Sequence, residues 1–288
     1  MGFLASIDGR IASAADARVS VLDTGFTFGD GVYETLRTYG GRPLAYGRHL
    51  ARLRASAARL GIEIPVDEAE FRRRLDELLA RAGNHESFVR LIVTRGVGDC
   101  SYRFERVQGP TVVIFVRPHE APPESTYTQG VDVALSSLRR NAPEALDPAI
   151  KSINLLNNVL AVREAQARGA VEALLLNQRG ELAEGASSNV FVVRAGRVVT
   201  PPLSAGILAG ITRDMVIEVA PAAGHPVHEE TLALDDLRGA DEAFLTSSLK
   251  EVAPIRRLDG MEIGDGRPGP VTLALLRAYR AALPSRCE

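Results

Sequence analysis

The chain has no tryptophan, only two cysteines and, among 34 basic residues, only two lysines. Cys100 and Cys287 lie far apart, without a CxxC or any supporting histidine spacing. That argues against a zinc site or a disulfide framework and fits free thiols in a reducing compartment. No apolar run approaches the ~18 residues that a membrane span needs, and Met1-Gly2-Phe3-Leu4 offers no basic leader, so a cytoplasmic protein is expected. A formal net charge of −2 gives no general attraction to nucleic acid or an anionic bilayer. The arginine runs Arg72-Arg73-Arg74 and Arg139-Arg140 lack the interleaved aromatics of a nucleic-acid surface. Arginine in place of lysine on this scale fits genome composition, but it isolates the two exceptions. Lys250 sits in polar Ser247-Ser248-Leu249-Lys250-Glu251. Lys151 has apolar neighbours and no acid within three residues. A desolvated lysine can lose its proton and form a Schiff base, which arginine cannot do.

The composition is that of a soluble globular protein, 45% apolar and 24% charged, and 288 residues suffice for two medium domains. A short strand is predicted at Ser20–Leu22, then a glycine-rich turn at Gly25–Gly31 and a strand from Val32 to Tyr39. Gly40-Gly41 signals a hairpin. Leu50, Leu53, Ala57 and Leu60 recur at helical spacing, and a second helix begins at Asp67 with Phe71, Leu75, Leu78 and Leu79 on one face. Strands are predicted at Phe88–Arg95 and Thr111–Arg117. Pro118, Pro122 and Pro123 mark a linker. Beyond it come strands at Val131–Leu135, Ala173–Asn177, Val190–Arg194 and Arg197–Thr200. Helices are predicted at Leu155–Arg168, at Thr272–Ala282, and at Ile211–Ala222 with Ile217 and Val219 able to face inward. The fold class is α+β, divided into residues 1–117, a linker 118–126, and residues 127–288.

Four stretches could carry chemistry. Lys151 is the first. Glu184-Gly185-Ala186-Ser187-Ser188-Asn189 puts a carboxylate before small polar residues and a strand, able to pair with a cationic heterocycle. Gly210-Ile211-Thr212 opens a helix whose free N–H groups suit a phosphate. Arg52 lies on a helix and could clamp a phosphate. Lysine, carboxylate, helix start and arginine together are what pyridoxal 5′-phosphate requires. A polar loop, a capped helix and a solvated arginine are the plain alternatives for each taken singly.

Phe28-Gly29-Asp30-Gly31-Val32-Tyr33-Glu34, His49-Leu50-Ala51-Arg52-Leu53, Lys151-Ser152-Ile153-Asn154, Glu184 to Phe191 and Gly210-Ile211-Thr212-Arg213 resemble, in order and spacing, the class IV (fold type IV) pyridoxal-phosphate-dependent aminotransferases. The resemblance implies a small α/β domain, a larger β-rich pseudo-barrel domain, and the cofactor in the cleft between them. It implies Lys151 as Schiff-base lysine and proton shuttle, Glu184 on the pyridine nitrogen, and Arg52, Ile211, Thr212, Ser247 and Ser248 on the phosphate. Leu208 would pack on the ring, with Gly210, Ser187, Ser188 and Asn189 completing the cofactor contacts. Phe28 and Tyr33 would line the substrate pocket. Amino acids and keto acids would be the substrates, and the protein would be a homodimer with a shared active site.

The resemblance leans to the D-amino-acid branch, with activity extending to (R)-amines. No Gly-Asn-Tyr follows Lys151, as it does in branched-chain enzymes. The D-type carboxylate trap, an Arg-x-His after Thr-Arg-Gly, is incomplete. Arg103 stands as its candidate arginine without the histidine, and Phe88-Val89-Arg90 resembles the aromatic-x-Arg of branched-chain enzymes. Arg90 and Arg103 are thus both carboxylate candidates. A branched-chain L-amino-acid aminotransferase is the alternative, and an aminodeoxychorismate lyase the third.

Overall fold

The computed structural model describes residues 2–288. Helix makes up 32% and strand 30%, the α+β mixture expected. The chain divides into two units. The first comprises Met1–Glu120, Ile150–Asn154 and Pro284–Glu288, and the second Ala121–Ala149 and Leu155–Leu283. The short segment carrying Lys151 therefore belongs to the first unit, although the chain on either side of it belongs to the second.

In the first unit a six-stranded sheet runs in the order Arg10–Ser13, Leu4–Ile7, Thr111–Pro118, Ser87–Thr94, Gly31–Tyr39, Arg42–Pro43, with every neighbouring pair antiparallel. Period-two alternation places Val32, Leu36, Val89, Leu91, Val93, Val112, Ile114 and Val116 on one face, all buried. Against that face pack the helices Tyr46–Arg59, through Leu50, Leu53 and Ala57, and Glu68–Ala82, through Phe71, Leu75 and Leu78. The second helix starts where Asp67, its N-cap, accepts a hydrogen bond from the Glu70 N–H at 2.8 Å, one residue after the expected start. Ser20–Leu22 forms a turn rather than the expected strand. Its backbone serves the bridge between Asp23 and Val97 instead of a sheet neighbour.

The second unit holds a nine-stranded mixed sheet. Its path is Val227–Glu229, Arg197–Thr200, Asn189–Arg194, Glu242–Ser247, Glu251–Leu258, Val131–Arg139, Glu172–Leu176, Leu182–Gly185, with Met261–Glu262 pairing Glu251–Leu258. Val131–Arg139 runs parallel to both of its neighbours. The helix Leu156–Ala167 lies over it with Ala161 and Ala165 buried against Ala134 and Ala173, small side chains that let helix and sheet approach closely. In the helix Ile211–Val219 the buried residues are Ile211, Thr212, Arg213, Met215 and Val216. Ile217 and Val219, expected to face inward, are only half-buried.

Candidate active site

Lys151 is held by its backbone. Its carbonyl accepts from the Tyr33 N–H at 2.9 Å, Ile153 N–H donates to the Gly31 carbonyl at 2.9 Å, and Val32 and Ser152 form a bridge. The segment thereby extends the sheet beside the first residues of Gly31–Tyr39, where Arg42–Pro43 does not reach. Lys151 N–H also donates to Ser56 Oγ at 3.2 Å, tying the lysine to the helix Tyr46–Arg59. With the main chain fixed this way, the side chain is free to be chosen for chemistry. Its Nζ lies 4.6 Å from the centroid of the Tyr33 ring.

The same ring carries a second cation. The Arg90 guanidinium carbon lies 4.7 Å from the Tyr33 centroid and 5.7 Å from that of Phe88. Its Nε donates to Thr35 Oγ1 at 3.2 Å. Burial pulls the Arg90 pKa downward, and Tyr33 opposes that shift. Arg103 stands elsewhere. It is exposed, its backbone N–H reaches Ser101 Oγ at 3.3 Å, and its guanidinium makes no hydrogen bond or ion pair among the described residues. Phe28 is at the surface too, its ring 5.2 Å from that of Tyr102. Of the four residues expected to meet substrate, Tyr33 therefore stands beside Lys151 and Arg90 beside Tyr33.

On the opposite face of that strand Glu34 enters the core. Its Oε1 accepts from Arg52 Nε at 2.6 Å, and its Oε2 accepts from an Arg52 terminal nitrogen at 2.8 Å and lies 2.7 Å from His49 Nδ1. Glu34 is fully buried and His49 is 1% exposed. Burial alone would raise the carboxyl pKa, but Arg52 and then His49 outweigh it and bring it down to about 2. Burial pushes the His49 pKa below its ordinary value, against the pull of Glu34. The neutral imidazole must then carry its proton on Nδ1, since an ionised carboxylate can only accept.

Both shifts have the same sign for stability. Glu34 binds its proton less readily folded than unfolded. Its contribution is therefore complete above pH ~4.5 and is lost as pH falls towards 2, about 3 kcal/mol in all. His49 adds a loss that begins below pH ~6.5, because the unfolded imidazole takes up a proton that the folded one refuses. Melting temperature should fall on acidification from pH 7 to 4.5, and His49→Gln should flatten that limb in calorimetry. An unchanged slope in the variant would remove His49 from the account.

The second unit presents a carboxylate of its own. Glu184, in the strand Leu182–Gly185, is 4% exposed. Its Oε1 accepts from Arg140 Nε at 2.8 Å, and its Oε2 accepts from Asn189 Nδ2 at 3.2 Å and from the Leu208 N–H at 3.0 Å. Asn189 Nδ2 also donates to the Leu208 carbonyl at 3.0 Å, so one amide joins the carboxylate to the loop before the helix Ile211–Val219. A Cβ on Gly210 would lie 1.9 Å from Asn189 Oδ1, which explains the glycine. Gly210 is the helix N-cap and supplies no side-chain acceptor to the first-turn N–H groups of Ile211 and Thr212. That helix packs on Glu242–Ser247, where Thr246, paired in register with Asn189, has a buried hydroxyl with no partner.

Sequence reasoning overlooked Arg140, which it treated only as half of a surface pair. It is 9% exposed and reaches Asn157 Oδ1 at 3.3 Å as well as Glu184. Ser187 and Ser188 also have partners that the sequence did not suggest. Both hydroxyls donate to Glu172 Oε2, at 2.5 and 3.2 Å, and Lys250 Nζ joins them, 2.9 Å from Glu172 and 3.2 Å from Ser187. Ser247 Oγ accepts from the Lys250 N–H at 3.2 Å, and Ser248 is half-buried. Among the described residues no group of His, Cys, Asp and Glu could hold a metal ion, and no helix is long and apolar enough to cross a membrane.

Residues 31–258 match the family model for amino-transferase class IV. The chain belongs to the class IV aminotransferases. It is 38% identical over 274 residues to a putative branched-chain-amino-acid aminotransferase of Methanocaldococcus jannaschii, which covers 95% of this chain and 94% of the relative. It is 37% identical over 278 residues to a D-alanine aminotransferase of Bacillus licheniformis, covering 96% of each. Among solved structures, the branched-chain aminotransferase of Thermoproteus uzoniensis with norvaline superposes with a TM-score of 0.91 at 31% identity, covering 99% of this chain and 96% of that one.

Class IV aminotransferases use pyridoxal 5′-phosphate, and this aminotransferase has features that fit it. Glu184 is a buried carboxylate aimed by Arg140, Asn189 and the Leu208 N–H, the Ile211–Val219 helix begins without a side-chain cap, and the buried Thr246 hydroxyl has no hydrogen-bond partner.

Proposed function

We propose that this aminotransferase moves the amino group of D-amino acids to 2-keto acids, with activity extending to (R)-amines, and that Arg90 holds the substrate carboxylate. Bound pyridoxal phosphate supplies a protonated ring that accepts the electrons of a developing carbanion. Lys151 would hold the cofactor through its amine and would serve as the base that moves the proton at the substrate Cα. Glu184 faces the ring nitrogen. Arg52, the N–H groups of Ile211 and Thr212, and Ser247 and Ser248 hold the phosphate. Leu208 packs on the ring, and Tyr33 lines the pocket beside Lys151.

One observation carries the carboxylate assignment. The Lys151 amine and the Arg90 guanidinium lie 4.6 and 4.7 Å from the centroid of one ring, Tyr33, so the pocket-lining tyrosine has the base on it and a cation able to take a carboxylate. The residues after Lys151 are Ser152, Ile153, Asn154, Leu155 and Leu156, with no tyrosine among them. Arg90→Ala should raise KM for D-alanine roughly 10- to 100-fold, the range of a lost charge-assisted hydrogen bond, and spare the (R)-amine 1-phenylethylamine, which has no carboxylate. Equal effects of Arg90→Ala on both donors would rule out the carboxylate role.

A second reading, a branched-chain L-amino-acid aminotransferase, has its own support. Arg90 follows Phe88 at the aromatic-x-Arg spacing of that branch, and the Methanocaldococcus jannaschii relative bears that name. Mixing the holoenzyme separately with D-alanine and L-leucine decides between them, because the accepted donor bleaches the cofactor absorbance. Bleaching by L-leucine alone would reverse the assignment.

A homodimer is part of the proposal. Val21, Phe26, Tyr102 and Phe104 are 71%, 72%, 81% and 61% exposed on two loops that are themselves firmly anchored. Asp23 Oδ2 accepts from Thr94 and Thr111 Oγ1 at 3.0 and 2.7 Å, and Arg95 grips Asp30 at 2.6 and 3.1 Å. Rigid, exposed aromatics suit a second copy of the chain. Light scattering should give twice the 30.9 kDa chain mass.

A further inference from the structure

Strand alternation calls for a hydrophobe at position 34. Val32 and Leu36 on either side face the helices and are fully buried, yet the residue between them is a carboxylate, equally buried. Its two partners sit three residues apart on one face of the helix Tyr46–Arg59, each next to a core leucine, Leu50 or Leu53. An ion pair taken out of water recovers little net stability, and an apolar set of the same volume would fill the core as well or better. A cluster kept at that cost has another task to perform.

We propose that Glu34 and His49 are positioning residues that aim Arg52 at the cofactor phosphate and fix its distance from Lys151. The inference rests on the phosphate role assigned to Arg52 under Proposed function. Glu34 takes Nε and one terminal nitrogen of Arg52 together, a bidentate grip that sets the plane of the guanidinium. His49 donates from Nδ1 to the same carboxylate and keeps it from swinging. The strand bearing Glu34 also bears Tyr33, whose N–H holds the Lys151 carbonyl, and the helix bearing Arg52 also bears Ser56, whose hydroxyl holds the Lys151 N–H. Amine and guanidinium are thus referenced to the same two elements, one on each face of a single strand. That fixes the span between an aldehyde carbon and a phosphate before the cofactor arrives.

The charge count supports this function. With the imidazole neutral, the ionised carboxylate and the guanidinium cancel, so the cluster contributes oriented N–H donors without a net positive charge buried in the core. Such a site favours the ligand whose oxygens match the donors in place, rather than any anion that diffuses in.

The test compares binding of pyridoxal 5′-phosphate and of pyridoxal, which lacks the phosphate, to the full-length chain freed of cofactor. Wild type is titrated beside Glu34→Gln, Glu34→Asp and Arg52→Gln, with folding checked by circular dichroism. Glu34→Gln should weaken pyridoxal 5′-phosphate roughly 10- to 100-fold and pyridoxal by less than about threefold. Glu34→Asp keeps the charge, and hence the fold, but shortens the arm, and should fall between wild type and Glu34→Gln. The 31P resonance of the bound phosphate should shift in both variants. If folded Glu34→Gln or Glu34→Asp binds both ligands as wild type does, or loses both equally, Glu34 is only structural and the proposal fails while the Arg52 assignment stands. If Arg52→Gln leaves the preference for the phosphorylated ligand intact, the Arg52 assignment itself is wrong and the proposal falls with it.

Discussion

Lys151→Arg should be as inactive as Lys151→Ala, each slower than wild type by at least about 10⁴-fold, the upper range for loss of a positioned acid–base group before any loss of the covalent link is counted. The arginine variant is the sharper of the two. This chain uses arginine almost wherever it needs a cation, and Lys151→Arg keeps charge and length. A guanidinium stays protonated at any working pH, so it cannot attack an aldehyde or take a proton from carbon. The fold should not register the change. The backbone of residue 151 is held by Tyr33 and Ser56 through its own carbonyl and N–H, and Ile153 holds Gly31. Melting temperatures of both variants should stay within a few degrees of wild-type apoprotein, while the cofactor absorbance and turnover disappear together. Retained turnover in either variant would remove Lys151 from the mechanism.

The second large effect is expected at Glu184, where stability and catalysis can be pulled apart. Glu184→Ala leaves the buried Arg140 guanidinium without a counter-charge, and breaking a buried pair from one side costs about 3–5 kcal/mol. It also removes the negative charge assigned to the ring nitrogen, an electrostatic loss of the kind that lowers turnover about 10²- to 10³-fold. Pairing it with Arg140→Ala should recover a large part of the stability, since no lone charge is then left in the core. Turnover should not recover. Denaturant unfolding and kinetics on the two single variants and the double variant test this. If activity returned along with stability, Glu184 would serve only to hold Arg140.

Much of this site could be read from the sequence because its signals are local. Lysine scarcity isolated Lys151, and Gly31–Tyr39 alternates cleanly. The helix expected from Asp67 starts at Glu68, and Gly210 marks the start of another. What stayed hidden depends on partners distant in the chain. Arg140 is 44 residues from Glu184, and nothing beside it hints that it turns inward. Glu172 gathers Ser187 and Ser188 across 15 and 16 residues. Glu34 belonged to a recognised motif, but its burial between Val32 and Leu36 emerges only when helix meets sheet. The hairpin Leu4–Ile7 with Arg10–Ser13 was missed for another reason. Its strands have four residues each, too few for a pattern, although Asp8-Gly9, at φ 49° and 87°, is the turn pair that such hairpins favour.

Borohydride reduction of the holoenzyme, followed by proteolysis and peptide mass mapping, tests the central claim most directly. A pyridoxyl mass on the peptide containing Lys151, with the Lys250 peptide unmodified, is the expected result. A pyridoxyl group on Lys250, or on neither lysine, would contradict it.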